Sequence, residues 1–507
     1  MVKVFLAGLL VFLFFVDLDS RPAIWWDEGW TASVAKNWLE DGHYGLYRDG
    51  LPRGPGLEGH LPVVTLVRLG FQAFGVGVWQ ARAPIVLTAL GALGALYLVG
   101  RTLFNPRVAA FALFFSLFTP FDSGIHPIVI GRQALGEMPA IFFLLLGYLF
   151  LAKGLSKSKA WLVMAAFFLG LAIYTKAQLP PFWLASMAIA LMFAAAQRHW
   201  QAVRQLSLVT FGALACYLAF VGLQSWLAPT TFPAEPVDGL FFVTAFVLKP
   251  AIRLEAAGQL LKFAPHILLG VVFLIWKMRS DVQSTPDRQI TLAALIGFVS
   301  TWIVWYALFG MYTLRYLLPP VFIGNLFFAA AVHDWTGGLR LRTFFHNQVG
   351  IIRRRLAGSA NRKQFFTSIS LMYLFAWLGI AAFLSTDNLI AFYRSPQPVD
   401  VKRLADFVHA NTPGDALIET YDIEIFFLLE REYHYPPDEN HVLYIRHKAL
   451  GEEIQIDYDR NLPDPTYIIV GSFSKWWEVY DHALADGEYL LWASLPGYRI
   501  YKWTGAQ

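Results

Sequence analysis

Cysteine and charged residues are both scarce in this sequence. Cys216 is the only cysteine among 507 residues and lies in an apolar run, which excludes a disulfide framework and a thiolate metal site. Charged residues make up 15% of the chain, whereas 56% of the residues are hydrophobic and 16% are aromatic. A soluble domain has a more polar composition, so we predict a polytopic membrane protein.

A signal-peptide cleavage site is also absent from the N-terminal region. Lys3 precedes an apolar core of the kind that signal peptides have. The segment from Asp17 to Arg21 follows this core and does not have the small-residue pattern of a cleavage site. We therefore predict an uncleaved first membrane span.

Long apolar runs dominate the remainder of the chain. A helix needs roughly 20 apolar residues to cross a bilayer. Eleven runs are candidates for such spans: 2–16, 78–100, 108–121, 137–152, 160–177, 180–196, 205–228, 263–279, 290–309, 316–335 and 367–387. The apolar stretch 61–76 contains Arg68 and several glycines, and we assign it to the membrane surface. The predicted fold is a polytopic α-helical membrane protein with about eleven spans.

Basic residues predict the orientation of these spans. Alternate connections carry Lys and Arg, for example Arg101 with Arg107 and Arg198 with Arg204, and seven more lie between Arg340 and Lys363. Basic connections stay on the cytoplasmic side of a membrane. An odd number of spans then places the N-terminus in the cytoplasm and the C-terminal tail outside.

The tail differs from the membrane part in charge and pattern. Between Pro396 and Gln507 it has nineteen Asp and Glu residues against nine Lys and Arg. Helical and strand patterns alternate in it: a helix over 401–410, strands at 416–420, 467–470 and 498–501, and a helix over 476–486. We predict a transmembrane domain, residues 1–389, and a small extracytoplasmic α/β domain, residues 390–507.

The first outer loop opens with Trp25-Trp26-Asp27-Glu28-Gly29-Trp30. Helical spacing predicts an amphipathic juxtamembrane helix from Asp27 to Gly42, with Trp30, Val34 and Trp38 on one stripe. We expect the tryptophans to anchor this helix at the membrane interface.

Ionisable residues gather at the predicted outer ends of the spans. They are Asp27 and Glu28 after span 1, Arg132 and Glu137 before span 4, Lys176 after span 5, His266 at span 8 and Arg315 at span 10. Charges at membrane depth are costly unless they are paired or solvated, so they are functional candidates.

Each of these residues also has a purely structural interpretation. Asp27 is a good helix N-cap, and Glu28 would favour the first helical turn through the helix dipole. Lys176 and Arg315 would extend to lipid headgroups. Arg132 would only pair with Glu137, and His266 would be a hydrogen-bonded core residue. Their common sidedness favours a shared polar cavity over coincidence.

Several motifs resemble those of a known superfamily. Asp27-Glu28 in the first outer loop, Arg132 with Glu137-Met-Pro139, Thr175-Lys176, and Arg315-Tyr-Leu-Leu-Pro319 resemble the GT-C glycosyltransferases. The resemblance covers about residues 1–390 and is greater to the branch of protein O-mannosyltransferases and the aminoarabinose transferase of lipid A, glycosyltransferase families 39 and 83. One difference is Glu58-Gly-His60-Leu-Pro62, where many relatives have Lys-Pro-Pro.

This resemblance implies a function and roles for the residues. Such enzymes transfer a sugar from a polyprenyl-phosphate donor to an acceptor at the outer membrane face. Asp27 would be the general base, which typically contributes about 10²–10⁴ in rate. Glu28 would orient it or pair with a cation. Glu137 would help to position the acceptor or a metal. Three cations, Lys176, Arg315 and Arg132, would bind the lipid phosphate.

The other contacts that we expect are less specific. His60 and His266 are possible acceptor or metal contacts, and a divalent metal is possible, although no metal-ligand spacing supports it. The acceptor is a glycan, a lipid or a protein, and membrane lipids surround the enzyme. We expect no nucleic-acid partner.

Two other classes of function remain open at this point. A transporter or flippase of a lipid-linked sugar would also have many spans, but transporters commonly show internal repeats and mid-membrane helix breaks. A non-catalytic glycan or lipid receptor would use the tail as its binding module. Single displacement by the acceptor predicts that an enzyme of this kind inverts the anomeric configuration, unlike a double-displacement glycosidase.

Overall fold

The computed structural model describes eight segments of the chain: residues 2–156, 158–228, 239–280, 285–356, 361–395, 401–456, 458 and 463–505. The described helices are α1 Val2–Phe15, α2 Trp26–Glu40, α3 Leu61–Phe74, α4 Val78–Leu103, α5 Pro106–Phe118, α6 Pro127–Ile130, α7 Glu137–Ser156, α8 Lys159–Thr175, α9 Leu179–Ala196, α10 Trp200–Leu227, α11 Leu240–Thr244, α12 Pro250–Phe263, α13 Pro265–Ser280, α14 Pro286–Leu308, α15 Leu318–Trp335, α16 Leu341–Leu356, α17 Arg362–Arg394, α18 Val401–Asn411, α19 Asp438–Tyr444, α20 Ser472–Trp477 and α21 Asp481–Ala485.

The eleven predicted spans all coincide with helices, which are α1, α4, α5, α7, α8, α9, α10, α13, α14, α15 and α17. Within the described segments, seven helices are long and apolar enough to cross a bilayer: α4, α7, α9, α10, α14, α15 and α17. The pair α12 and α13, bent by 77°, raises this number to eight if it forms one span. The chain is a membrane protein, and the number of eleven spans stays a prediction.

Proline and cap residues mark where several membrane helices begin. Asn105 caps α5, since its side chain accepts hydrogen bonds from the amides of Arg107 and Val108, and Pro106 occupies the first helical position. Prolines also stand in the first turn of α9 and α15. At the predicted outer ends, Lys176 follows the last residue of α8 in an extended conformation. The Lys176 side chain therefore points away from the axis of α8 and lies near the start of α7.

The tail forms the predicted α/β domain around a five-stranded mixed sheet. Besides a short hairpin of β1 Tyr47–Arg48 and β2 Leu51–Pro52 in the first outer loop, the described strands are β3 Ile418–Glu419, β4 Tyr433–His434, β5 Tyr467–Val470, β6 Tyr489–Leu495 and β7 Tyr498–Trp503. Their order is β4-β3-β5-β7-β6, parallel from β4 to β5 and antiparallel from β5 to β6.

Several elements of this domain differ from the prediction. The helix at 401–410 and the strands at 467–470 and 498–501 occur as expected, but the expected helix at 476–486 is two short helices, α20 and α21. The pattern also missed β4, β6 and α19. The break in the helix follows from Glu478, which adopts a left-handed conformation with φ 56°. The boundary between residues 389 and 390 stays a prediction.

The juxtamembrane helices share one apolar core with the tail. Buried side chains of α2 and α3, such as Trp30 and Val64, belong to the same cluster as Ile418 and Ile468 of the sheet. Gly29 of α2 lies so close to the 3-10 helix 423–428 that an added Cβ atom would be 2.2 Å from the Cα of Glu424. The tail is therefore packed directly on the helix that carries Asp27 and Glu28.

Candidate active site

The start of α2 is fixed by Glu28. The Glu28 carboxylate accepts a hydrogen bond of 2.9 Å from the backbone amide of Trp25, which precedes the helix. It also forms a two-pronged ion pair of 2.8 Å and 2.8 Å with Arg82 of α4 and accepts the amide of Ala134 at 2.8 Å. Both charged side chains are buried. Glu28 pairs with a cation, as expected, but this arrangement ties α2 to the membrane helices and leaves no carboxylate oxygen for substrate.

Asp27, the second residue of α2, begins a chain of ion pairs. It is not the N-cap, a position that Trp25 occupies. Its Oδ2 lies 2.7 Å from Arg315 Nη1. The Nε of Arg315 lies 3.2 Å from Glu137 Oε1, and the same Glu137 oxygen is 3.2 Å from Lys176 Nζ. Four residues distant in sequence, Asp27, Glu137, Lys176 and Arg315, thus meet in one place.

Glu58 completes the chain, and the sequence analysis did not select it. Both of its carboxylate oxygens are 3.3 Å from Lys176 Nζ. The sequence did contain an indication of this residue, because Glu58 stands two positions before His60 in the segment that precedes α3. The motif resemblance did not indicate its role, because this segment differs from the Lys-Pro-Pro of many relatives.

A cavity of about 580 Å³ lies beside this chain of ion pairs. Its polar lining includes Asp27, Glu58, His60, Lys176, Arg315, Tyr316 and His441. The rest of the wall is mostly apolar, from α11 and the aromatic side chains Phe182, Phe246, Trp305 and Phe309. Phe241 and Phe246, at the α11 side, are also exposed on the molecular surface. The cavity therefore joins a charged region to an apolar one.

The two cations of the cavity, Lys176 and Arg315, are both paired with carboxylates. Three carboxylates and two cations give the chain a formal charge of −1. Glu137 contacts both cations with one buried oxygen and so holds Lys176 and Arg315 next to each other. Its position supports a role in placing the cations rather than contact with an acceptor.

Two groups that precede α3 have shifted acidity. Burial raises the pKa of Glu58 above its ordinary value, although the charge of Lys176 opposes that shift. Burial, followed by the charge of Lys176, lowers the pKa of His60 to about 4. His60 is therefore a neutral hydrogen-bonding group of the cavity at pH 7.

Arg132 lies outside this arrangement, which corrects its assignment to the lipid phosphate. Its guanidinium donates to the backbone carbonyls of Leu13, Val16 and Arg21 and to the hydroxyl of Tyr393. These carbonyls lie at and after the end of α1, where a helix lacks hydrogen-bond donors. Arg132 thus caps α1, and it forms no ion pair with Glu137.

His266 also lies away from the cavity lining. Its Nε2 is 3.2 Å from Asn325 Oδ1 and 3.4 Å from the hydroxyl of Thr119, and its ring packs on Phe328 and Trp377. The alternative of a hydrogen-bonded structural residue fits this placement. Across the described residues, no three His, Cys, Asp or Glu side chains are arranged to hold a metal ion. The divalent metal that we considered stays a prediction.

Trp26 and Trp30 of α2 pack on the tail, which corrects the expectation that they anchor the helix at the membrane interface. Trp26 is buried and stacks on Phe473 with ring centroids 4.9 Å apart. Its Nε1 donates to the carbonyl of Tyr421 at 2.9 Å, and Trp30 donates to the carbonyl of Pro55 at 2.7 Å. The tail covers the face of α2 that we expected to face lipid.

Comparisons with known proteins agree with the resemblance of the motifs. The model of a family described as dolichyl-phosphate-mannose-protein mannosyltransferase matches residues 60–223. No curated protein matches the chain.

Solved structures match almost the whole chain. The crystal structure of ArnT from Cupriavidus metallidurans bound to undecaprenyl phosphate is 16% identical, with a TM-score of 0.64, over 98% of this chain and 97% of that one. The Archaeoglobus fulgidus oligosaccharyltransferase tethered with an acceptor peptide is 14% identical, with a TM-score of 0.54, over 99% of this chain and 73% of that one.

A third structure, the archaeal oligosaccharyltransferase AglB from Archaeoglobus fulgidus in complex with an inhibitory peptide and a dolichol-phosphate, is 13% identical, with a TM-score of 0.54, over 99% of this chain and 74% of that one. Taken with the family match and the motifs, these likenesses confirm the resemblance at the level of the fold: the chain has the GT-C fold, of the kind seen in ArnT and AglB.

Proposed function

We propose that the protein is an integral membrane glycosyltransferase. It transfers a sugar from a polyprenyl-phosphate donor to an acceptor hydroxyl at the outer face of the membrane. The observation that carries this proposal is the chain of ion pairs Asp27–Arg315–Glu137–Lys176–Glu58 beside a cavity whose remaining wall is mostly apolar. A lipid phosphate has the same two parts, an anionic group and a long apolar chain.

The cations would stabilise the leaving group. The bond between the anomeric carbon and the phosphate oxygen breaks, and the electron pair remains on the lipid phosphate. Lys176 and Arg315 lie within 3.2 Å of a common Glu137 oxygen, so both reach one small region. Cations in a water-poor site stabilise developing negative charge strongly. No general acid is required, because the leaving phosphate is already anionic.

Asp27 would be the general base. The acceptor oxygen forms the new bond to the anomeric carbon, and its proton moves to Asp27. The ion pair with Arg315 occupies Oδ2, and we assign the proton to Oδ1. A direct displacement of this kind inverts the anomeric configuration. Glu28 takes no part in the chemistry in this proposal, since Arg82 and Ala134 occupy its carboxylate.

The apolar part of the cavity would receive the first units of the polyprenyl chain. Exposed Phe241 and Phe246 at the α11 side give the lipid a path from the bilayer. This route requires no opening of the helix bundle. A flippase of the same lipid would instead move the donor across the membrane without breaking its phosphate bond.

Transfer by an Asp27→Asn variant tests the proposal. Purified protein in detergent is given a panel of radiolabelled polyprenyl-phosphate sugars, with solubilised cell envelope as the acceptor. We expect transfer by the wild type and a loss of about 10²–10⁴ in kcat for Asp27→Asn, the usual contribution of a general base. Asp41→Asn, at the exposed end of the same helix, is the matched control and should retain full activity.

Two results would contradict the proposal. Normal transfer by a folded Asp27→Asn variant would remove Asp27 from the chemistry. Movement of the intact donor across proteoliposomes, without cleavage of any donor in the panel, would favour the flippase.

A further inference from the structure

The tail contributes one titratable side chain to the cavity wall. His441 lies on α19 and lines the cavity next to Trp26 and Asp27. The membrane part of the chain supplies the other charged and imidazole groups of the lining. A tail that only packed on the membrane part would need no contact beyond the aromatic cluster around Trp26. His441 extends past this cluster into the cavity lining, which suggests a role there.

The orientation of the His441 ring is fixed on several sides. It stacks on Trp26 with a centroid distance of 5.0 Å and an interplanar angle of 10°. The ring of Phe473 is nearly parallel to it with a centroid distance of 6.2 Å, and Trp477 meets it edge-on. The hydroxyl of Tyr421 is 3.2 Å from Nδ1. Among the hydrogen bonds of the described residues, Tyr421 is the partner of Nδ1, and none involves Nε2 of His441.

The ring is also neutral at physiological pH. Burial lowers the pKa of His441 to about 4, although the nearby charge of Asp27 opposes the shift. A neutral imidazole does not attract the donor phosphate and does not neutralise Asp27 by forming an ion pair. One of its nitrogens donates a hydrogen bond and the other accepts one. Because a hydroxyl group can do both, Nε2 fits a hydroxyl in either tautomer.

We propose that His441 hydrogen-bonds the acceptor beside Asp27, so that the tail forms part of the acceptor site. The ligand class is a hydroxyl-bearing molecule, whether a sugar, a lipid or a protein side chain. This inference rests on the proposed function. His441 contacts the acceptor and positions its hydroxyl for Asp27, and it exchanges no proton in the reaction.

His441→Phe tests the proposal because it keeps a flat ring on Trp26 and removes both nitrogens. A radiolabelled polyprenyl-phosphate sugar that the wild type cleaves is the donor, and solubilised cell envelope is the acceptor. A neutral hydrogen bond contributes about 0.5–1.5 kcal/mol. We therefore expect the apparent KM for envelope acceptor to rise about threefold to tenfold. The donor KM should change less than twofold, because the neutral imidazole does not bind the donor phosphate.

A matched control and a second variant complete the experiment. His482→Phe makes the same chemical change at an exposed position of the tail and should leave every value unchanged. If His441→Phe lowers the unfolding temperature, the acceptor KM of His441→Gln decides whether the hydrogen bond or only the fold was lost. Gln restores a group that both donates and accepts, and we expect an acceptor KM within about twofold of the wild type.

The outcomes separate this inference from the proposed function. An unchanged acceptor KM in a folded His441→Phe protein overturns the acceptor contact and leaves the glycosyltransferase intact. A rise of the donor KM as large as that of the acceptor KM also overturns it, since His441 would then affect the whole cavity rather than the acceptor alone. A wild type that cleaves no donor in the panel refutes the proposed function itself.

Discussion

Arg315 is the residue on which two parts of the site depend at once. Its Nη1 lies 2.7 Å from Asp27 Oδ2, and its Nε lies 3.2 Å from Glu137 Oε1. Lysine has one nitrogen on a flexible chain and does not reproduce the planar fork of arginine. Arg315→Lys therefore keeps the charge but is unable to hold both carboxylates and the donor phosphate together.

The expected effects differ for activity and for stability. Loss of one preorganised donor to a developing oxyanion typically lowers kcat by about 10²–10³, and we expect this for Arg315→Lys. Arg315→Met also removes the charge and leaves the carboxylate of Asp27 without its cation. Breaking a buried ion pair from one side costs about 3–5 kcal/mol, so Arg315→Met should unfold at a clearly lower temperature than Arg315→Lys.

Donor-cleavage kinetics and thermal unfolding in detergent measure the two effects. Arg107→Lys, an exposed position at the start of α5, is the control for the substitution itself. The reasoning is refuted if Arg315→Lys cleaves and transfers with a kcat within about threefold of the wild type. It is also refuted if Arg315→Met is as stable as Arg315→Lys.

Three further predictions concern the surroundings of Asp27. Glu58→Gln removes the carboxylate that competes with phosphate for Lys176, so the donor KM should fall about threefold to tenfold; a higher donor KM would show that Glu58 assists binding. Gly29→Ala places a Cβ atom 2.2 Å from the Glu424 backbone, and overpacking typically costs about 1–3 kcal/mol, so limited proteolysis should release the tail faster than in the wild type. Folding holds the pKa of His441 near 4 against an unfolded value of about 6.5. The contribution of the neutral His441 ring to stability is therefore fully present above pH 6.5 and is lost as the pH falls towards 4. The unfolding temperature should fall less over this pH range in His441→Gln than in the wild type.

The membrane helices could be predicted because bilayer crossing imposes a simple pattern on sequence. All eleven apolar runs are helices, and the sidedness of basic residues led to Asp27, Glu137, Lys176 and Arg315, which the fold brings together. Charged residues at membrane depth are costly unless they are paired or solvated, so each of them is a functional candidate.

The contacts of individual side chains were not accessible in the same way. Glu28 and Asp27 are adjacent in sequence and differ by about 100° in direction on a helix. The apolar pattern of α4 did not indicate that Arg82 within that helix would form an ion pair with Glu28. Arg132 is positively charged and lies on the predicted outer side, as a phosphate-binding residue would. In the fold it donates to backbone carbonyls at the end of α1 instead, because a helix end provides unpaired acceptors.

The role of the tail depends on packing between distant parts of the chain. Aromatic residues such as Trp26 favour a membrane interface and a protein interface equally well, since both are partly apolar. Only the fold shows that Phe473 and Tyr421 cover Trp26 and that His441 reaches the cavity. Periodicity within a segment contains no information about such pairs.

A structure of the protein with bound undecaprenyl phosphate would test the central claim most directly. The account predicts the phosphate within hydrogen-bonding distance of Lys176 Nζ and the Arg315 guanidinium, with Glu58 displaced from Lys176 and the first isoprenyl units along Phe241 and Phe246. A phosphate bound away from both cations, with the chain of ion pairs from Asp27 to Glu58 undisturbed, would contradict it.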